Sequence, residues 1–133
     1  MATMLALHAA GLWSGLLILL MIVLSGLTVT RRRRHLVAFG DGGNAELNAA
    51  ARAFGNASEY IPVGLVALVL LALTGAPEMM IHGVGATLLL GRIVHAVGLL
   101  FQKGPSLGRV VGMVLTYLAL LVGAVSLIAY GVM

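Results

Sequence analysis

The sequence predicts an all-α integral membrane protein, a bundle of four spanning helices that forms one domain, 1–133. Hydrophobic residues make up 61% of the chain and charged residues only 9%, against about 25% charged residues in soluble domains. The chain has room for four helices that cross a bilayer core of about 30 Å, with short connections between them. Cysteine is absent, which excludes disulfides, thiol catalysis and cysteine metal sites. We expect no metal site of another kind.

The first helix is predicted over about residues 4–30, a nearly uninterrupted apolar run. It is followed by four arginines, Arg31 to Arg34, a run typical of a stop-transfer signal that contacts lipid headgroups. Alternatively, one of them, Arg31 or Arg34, turns inward toward the second helix. No basic residue precedes the apolar run, so we expect the first helix to be retained and not cleaved as a signal peptide.

The second helix is predicted over about residues 45–74, with Asn44 as its N-cap. Its first half contains Arg52, Asn56 and Glu59, whose i, i+4, i+7 spacing places them on one polar stripe. The apolar run after them is too short to cross the bilayer, so the spanning segment includes part of the stripe. Two interpretations stand: a structural network that locks neighbouring helices, or a binding site for a charged ligand at membrane depth.

The third and fourth helices are predicted over about residues 77–102 and 107–130. Arg92 and His95 lie near the end of the third helix, and Arg109 lies in the first turn of the fourth. Small residues four positions apart predict close helix packing at Gly11 and Gly15, at Gly83, Thr87 and Gly91, and at Gly104, Gly108 and Gly112.

The basic residues predict the orientation. Arg31 to Arg34 in the first loop, with Lys103 and Arg109 around the third, put both loops in the cytoplasm and both termini outside. The polar residues of all four helices then converge in the cytoplasmic half. Arginines, a carboxylate and an amide suit a ligand with carboxylates and an ammonium group, and apolar walls suit a lipophilic second ligand. Half of the basic residues lie in one run beside a spanning helix, so the net charge of +4 does not indicate nucleic-acid binding.

A family resemblance rests on the second helix, which contains the segment Arg52-x-x-x-Asn56-x-x-Glu59-Tyr60-x-Pro62. This segment resembles the signature of the MAPEG family, the membrane-associated proteins of eicosanoid and glutathione metabolism. The order of the helices and Gly91-Arg92-x-x-His95 agree with it, and residues 37–44 are most similar to a bacterial inner-membrane branch. The resemblance implies a homotrimer with glutathione between adjacent subunits, near the cytoplasmic side. The implied glutathione-binding residues are Arg34, Arg52, Asn56, Glu59, Tyr60, Arg92 and His95.

The resemblance also implies an activity. In the active enzymes of the family an arginine at the start of the fourth helix stabilises the glutathione thiolate, and Arg109 is the corresponding candidate. We therefore predict a glutathione-dependent transferase or peroxidase of the inner membrane that acts on lipophilic electrophiles. The sequence has His95 and Leu99 where the eicosanoid enzymes have tyrosines, which leaves a non-catalytic lipid- or glutathione-binding protein as the alternative. A cation-coupled exporter is disfavoured, because the first helix contains no carboxylate.

Overall fold

The computed structural model describes residues 1–101, 104 and 106–132 of the chain. Within this part the chain forms four helices: α1 (Ala2–His35), α2 (Ala45–Leu73), α3 (Glu78–Phe101) and α4 (Leu107–Gly131). Each of the four is long and apolar enough to cross a membrane. The prediction of an all-α, four-helix membrane protein is therefore confirmed.

Both ends of α1 lie beyond the predicted range of about 4–30. The helix continues through the basic run to His35, where cations at a helix C-terminus interact favourably with the helix dipole. Arg32 donates from Nη1 to the carbonyl oxygens of Ala38 and Gly40, at 3.3 and 2.8 Å. Leu36 is the C-cap, and its N–H donates to the Arg33 carbonyl at 3.3 Å. Its left-handed backbone (φ 55°) turns the next N–H, that of Val37, to the Arg32 carbonyl at 3.1 Å.

The other three helices begin and end within one residue of their predicted limits. Asn44 is the N-cap of α2, as expected, and its side chain accepts a hydrogen bond from the Leu47 N–H at 2.9 Å. Ser106 caps α4 in the same way, accepting from the Arg109 N–H at 3.3 Å. Gln102, the predicted last residue of α3, and Lys103 lie outside the described residues.

The closest helix contact joins α3 and α4. A β-carbon added at Gly112 would lie 2.5 Å from the backbone nitrogen of His95, and one at Gly91 would lie 2.9 Å from the carbonyl oxygen of Gly112. One at Gly98 would lie 2.7 Å from the backbone nitrogen of Arg109. Real side chains do not fit at such distances, so glycine lets the two backbones touch. This contact fixes the rotation of α3 against α4, and with it the direction of Arg92.

The small residues predicted to mark packing faces divide between two surfaces. Gly91, Gly108 and Gly112 lie in the α3–α4 contact. Gly83 is exposed instead, because the buried face of α3 runs through Gly85, which packs under the Trp13 ring. The predicted packing pair on α1 also has no contact among the described residues of the chain, since Gly11 and Gly15 lie on the exposed face of α1.

Candidate functional site

The end of α1, the start of α2, the end of α3 and the start of α4 meet at one end of the bundle, which we call the two-loop end. Arg31 donates from Nη1 to the Glu46 carbonyl at 2.6 Å, which joins α1 to α2. Ser106 donates from Oγ to the Gly98 carbonyl at 3.3 Å, which joins α3 to the start of α4. These two contacts join neighbouring helices at the two-loop end.

A cavity of about 660 Å³ opens between these segments. Its charged lining comes from Arg52 of α2, Arg109 of α4, Asp41 of the loop between α1 and α2, and Glu46 in the first turn of α2. Leu99, Leu100 and Phe101 contribute an apolar wall. The cavity thus brings together two of the predicted site arginines, Arg52 and Arg109, which are far apart in the sequence.

The loop from 36 to 44 is held to α2 by Asp41. One carboxylate oxygen of Asp41 accepts from the side-chain amide of Asn48, and the other accepts from the Gly43 N–H at 3.0 Å. The Asn48 hydrogen bond, and then the Gly43 N–H, lower the pKa of Asp41 from its usual 3.8, because both donors favour the carboxylate. Asn48 thus fixes the loop beside the cavity.

Arg92 is the most deeply buried charged side chain among the described residues, with only 2% of its surface exposed. Its guanidinium donates from Nη1 to Asn56 Oδ1 at 2.7 Å, from Nε to Thr116 Oγ1 at 2.9 Å and from Nη2 to Met113 Sδ at 3.2 Å. In the described part of the chain no carboxylate lies within ion-pairing distance of it. A buried cation held only by neutral groups leaves a positive charge that an anion can compensate.

Tyr60 and Tyr117 form a pair beside this cation. Their hydroxyl oxygens are 3.1 Å apart, and their rings meet edge to face with centroids separated by 5.8 Å. The Arg92 guanidinium carbon lies 5.2 Å from the centroid of the Tyr60 ring, within range of a cation–π interaction. Tyr117 is 55% exposed, so the pair lies at the surface of the helix bundle while Arg92 lies behind it.

The site residues of α2 and α4 have the same spacing. Positions i, i+4, i+7 and i+8 correspond to Arg52, Asn56, Glu59 and Tyr60 on α2, and to Arg109, Met113, Thr116 and Tyr117 on α4. Each set lies on one helix face. We call the two sets together the polar strip. It extends from the cavity, at Arg52 and Arg109, to the tyrosine pair, a rise of about 12 Å for eight helical residues.

The structure brings some predicted site residues together and leaves others apart. Asn56, Tyr60 and Arg92 are in mutual contact through the guanidinium. Glu59 is exposed, and the described residues give it no ion pair. His95 is buried behind the strip, against Gly112.

The arginine run at the end of α1 is divided. Arg34 is exposed and makes no side-chain hydrogen bond within the described part of the chain, whereas Arg31 and Arg32 bind backbone carbonyls. Arg31, one of the two arginines considered for an inward orientation, contacts the start of α2.

Sequence reasoning did not single out Met113 or Thr116 and gave Tyr117 no role in the site. The signal that identifies them is the spacing of α4, which repeats that of the second-helix segment when counted from Arg109. Methionine and threonine are ordinary residues in an apolar helix, so composition alone gives no reason to select them.

Comparison with known proteins supports the family resemblance of the second-helix segment. The MAPEG family model matches residues 10–129. Two relatives are named Inner membrane protein YecN, one from Escherichia coli strain K12 and one from Escherichia coli O6:H1. Each is 39% identical over 112 residues, 84% of this chain and 84% of the relative. No solved structure matches the chain. Because the family model covers nearly the whole bundle, including the polar strip, the chain belongs to the MAPEG family.

Proposed function

We propose that this chain is a glutathione-dependent transferase or peroxidase of the inner membrane, acting on lipophilic electrophiles. The observation that carries the proposal is the buried cation of Arg92, which has no carboxylate partner in the described residues. Its partners Asn56 and Met113 each lie one helical turn from an arginine that lines the cavity, Arg52 and Arg109. Three cations near one carboxylate, Glu59, suit an anionic ligand that also bears an ammonium group. Glutathione has two carboxylates, one ammonium group and a thiol that ionises.

The size of the polar strip supports a ligand of this length. A fully extended chain of three residues spans about 10–11 Å, and the strip rises about 12 Å between its arginine end and its tyrosine end. Arg52 offers a guanidinium fork for a carboxylate. Glu59 is exposed and free to accept an ammonium group. Met113 and the apolar faces of α2 and α4 offer contact to a lipophilic co-substrate.

We further propose that the site is completed by a neighbouring subunit of a homotrimer. Arg52 and Glu59 are exposed on the single subunit, although both belong to a helix that crosses the membrane. Exposure of charges to lipid is costly, and a subunit contact removes them from it. The exposed face of α1 with Gly11 and Gly15 is suited to close approach of another helix.

The proposed orientation puts the two-loop end in the cytoplasm and both termini outside. The basic run Arg31 to Arg34 supports it, because such runs remain on the cytoplasmic side. Inner-membrane location is supported by the name of the relatives. Cytoplasmic glutathione then reaches the cavity directly.

A non-catalytic binding protein is the second candidate, and the position of Arg109 favours it. The proposed thiolate stabiliser donates from Nη1 to the Gly104 carbonyl at 3.2 Å, within its own loop. Thiolate stabilisation requires this guanidinium to exchange that carbonyl for the ligand sulfur. A protein in which the exchange does not occur binds glutathione without activating it.

The first experiment measures thermal stability of the purified protein with and without millimolar glutathione. Binding to the native state alone stabilises it by about 2.7 kcal/mol at a hundredfold excess over Kd. We expect wild type to be stabilised and Arg52→Ala to lose the effect. Arg33→Ala is the matched control, because it removes an exposed arginine from the same end of the bundle without touching the cavity.

Conjugation of a lipophilic electrophile is then compared between wild type and Arg109→Ala. Loss of turnover with retained stabilisation supports the role of Arg109 in the transferase. Stabilisation without turnover in wild type selects the binding protein. Absence of stabilisation at any glutathione concentration contradicts the transferase and the glutathione-binding protein, and leaves the lipid-binding protein as the remaining candidate.

A further inference from the structure

The tyrosine pair contains one hydroxyl hydrogen that is not used in the hydrogen bond between the two rings. Two hydroxyl groups carry two hydrogens, and the bond between Tyr60 and Tyr117 uses one of them. The second hydrogen has no acceptor among the described residues. It belongs to whichever tyrosine accepts the shared bond.

Arg92 determines which tyrosine that is. Its guanidinium lies over the Tyr60 ring and withdraws electron density from it, which makes the Tyr60 hydroxyl the stronger donor. On this ground we assign Tyr60 as the donor and Tyr117 as the acceptor of the shared bond, an assignment that leaves the Tyr117 hydrogen free. A hydroxyl that accepts one hydrogen bond becomes a better donor itself, because linked hydrogen bonds polarise one another. The free donor is on the more exposed ring of the pair.

The pair also marks a chemical boundary along the helices. On the two-loop side lie the charged residues of the polar strip. On the other side, α2 from 61 to 73 and α4 from 118 to 131 contain no charged residue. A polar thiol donor held on the strip and a lipophilic acceptor held among the apolar residues meet at this depth.

We propose that Tyr117 is a catalytic residue that binds the carbonyl oxygen of a conjugated, lipophilic carbonyl compound, so that the site is selective for long-chain α,β-unsaturated aldehydes and ketones. The inference rests on the proposed glutathione-dependent function and names its second substrate. It depends on the Arg92–Tyr60–Tyr117 chain and not on the role of Arg109.

The reaction is a conjugate addition. The thiol proton leaves to solvent, and the thiolate sulfur forms a bond to the β-carbon. The carbon–carbon π bond breaks, and its electron pair moves toward the carbonyl oxygen, where the negative charge of the enolate collects. The Tyr117 hydroxyl donates a hydrogen bond to this oxygen. This hydrogen bond is strongest when the negative charge on the oxygen is greatest. A proton from water then adds to the α-carbon, which gives the saturated thioether with no net change in protons.

The test compares two electrophiles of similar lipophilicity, 2-nonenal and 1-iodooctane. With 2-nonenal, negative charge develops on the carbonyl oxygen. With 1-iodooctane the thiolate displaces iodide from carbon, and the molecule has no oxygen on which charge could develop. Tyr117→Phe removes only the hydroxyl. We expect its kcat/KM with 2-nonenal and glutathione to fall by about 10- to 100-fold. This is less than the loss of about 100- to 1,000-fold for a donor of an enclosed oxyanion hole, because the Tyr117 hydroxyl is partly exposed. With 1-iodooctane we expect the fall to be at least about tenfold smaller.

Two further variants complete the design. Tyr60→Phe keeps the Tyr117 hydroxyl and removes only its polarising partner, so we expect an intermediate loss with 2-nonenal. Tyr130→Phe is the matched control, because it deletes a hydroxyl from the last turn of the same helix, far from the strip. Its rates with both electrophiles are expected to equal those of wild type.

The outcomes separate this inference from the proposed function. Equal losses with both electrophiles in Tyr117→Phe, or no loss with either, overturn the role of Tyr117 while glutathione-dependent stabilisation of wild type upholds the binding site. Stabilisation without conjugation of 2-nonenal by wild type also overturns it. No stabilisation by glutathione is the failure of the proposed function itself.

Discussion

Gly112 provides the sharpest test of how the site is held together. A β-carbon at this position would lie 2.5 Å from the backbone nitrogen of His95, 2.6 Å from the His95 β-carbon and 2.7 Å from the Gly91 carbonyl oxygen. Two of the three atoms belong to the backbone of α3, so no side-chain rotation relieves the overlap. Gly112→Ala must push α3 and α4 apart by roughly 1 Å, since carbon and nitrogen atoms in ordinary contact are about 3.5 Å apart.

The size of the effect follows from three contributions. Alanine in place of glycine favours a helix by about 1 kcal/mol. Overpacking costs about 1–3 kcal/mol, and separation of the helices weakens the bond from Arg92 to Thr116, worth about 1.5–3 kcal/mol for a charged donor. We expect Gly112→Ala to lower the free energy of unfolding by about 2–4 kcal/mol.

Gly108→Ala is the matched control, one turn earlier on the same face. Its β-carbon would lie 3.4 Å from both the Gly98 α-carbon and the Val94 carbonyl oxygen, which is ordinary contact. We expect no loss of stability, or a gain of up to about 1 kcal/mol from helix propensity. Denaturant unfolding of the detergent-solubilised protein measures both. If Gly112→Ala is as stable as Gly108→Ala, the described backbone contact between α3 and α4 is wrong.

Three further changes test separate features. Thr116→Val removes the acceptor of the Arg92 Nε–H in a fully buried site, and denaturant unfolding should show a loss of about 2–3 kcal/mol. Leu36→Gly relieves the left-handed backbone at the end of α1 and should raise stability by about 1 kcal/mol, seen as a higher Tm. The pKa of Asp41 is lower in the folded state than its usual 3.8, so the stability that its carboxylate contributes is complete above pH 3.8 and is lost as the pH falls through the folded-state pKa. Asp41→Asn removes this contribution, so below about pH 4 the Tm of the variant should depend less on pH than that of wild type.

Each of these expectations has an outcome that contradicts it. Thr87→Val, on a half-buried position of α3, controls for the loss of a threonine hydroxyl and should be close to neutral. A similar loss in both threonine variants would mean that Arg92 does not depend on Thr116. Leu36→Ala retains the β-carbon and should bring no gain, so equal stabilisation by alanine and glycine would exclude backbone strain. An unchanged pH profile in Asp41→Asn would show that Asp41 does not hold the loop in solution.

The polar strip shows how far sequence reasoning extends into the site. The spacing of Arg52, Asn56 and Glu59 predicted a shared helix face, and the resemblance of this segment predicted the family, which the comparisons confirm. Neither the spacing nor the resemblance showed whether the stripe is a structural network between helices or a binding site for a charged ligand. Asn56 belongs to a network that links three helices, whereas Arg52 and Glu59 remain exposed and available to a ligand or to another subunit.

The sequence alone determined those features of the fold that depend on local hydrophobicity and local chemistry. The number of helices, their limits to within a few residues and the end of the bundle at which charges collect all follow from which segments a bilayer accepts. The N-cap at Asn44 is local in the same sense, since its partner is three residues away.

Only the tertiary structure decided how each helix is rotated and which distant residue it contacts. An apolar spanning helix lacks the contrast between polar and apolar faces that orients a helix in water, so its buried face depends on where small residues on another helix permit close approach. The α3–α4 glycine contact therefore orients Arg92 toward Thr116. The packing of α2 against both helices brings Asn56 to Arg92 and Tyr60 to Tyr117. These contacts join residues 24 to 57 positions apart in the chain, a distance over which no sequence period carries information.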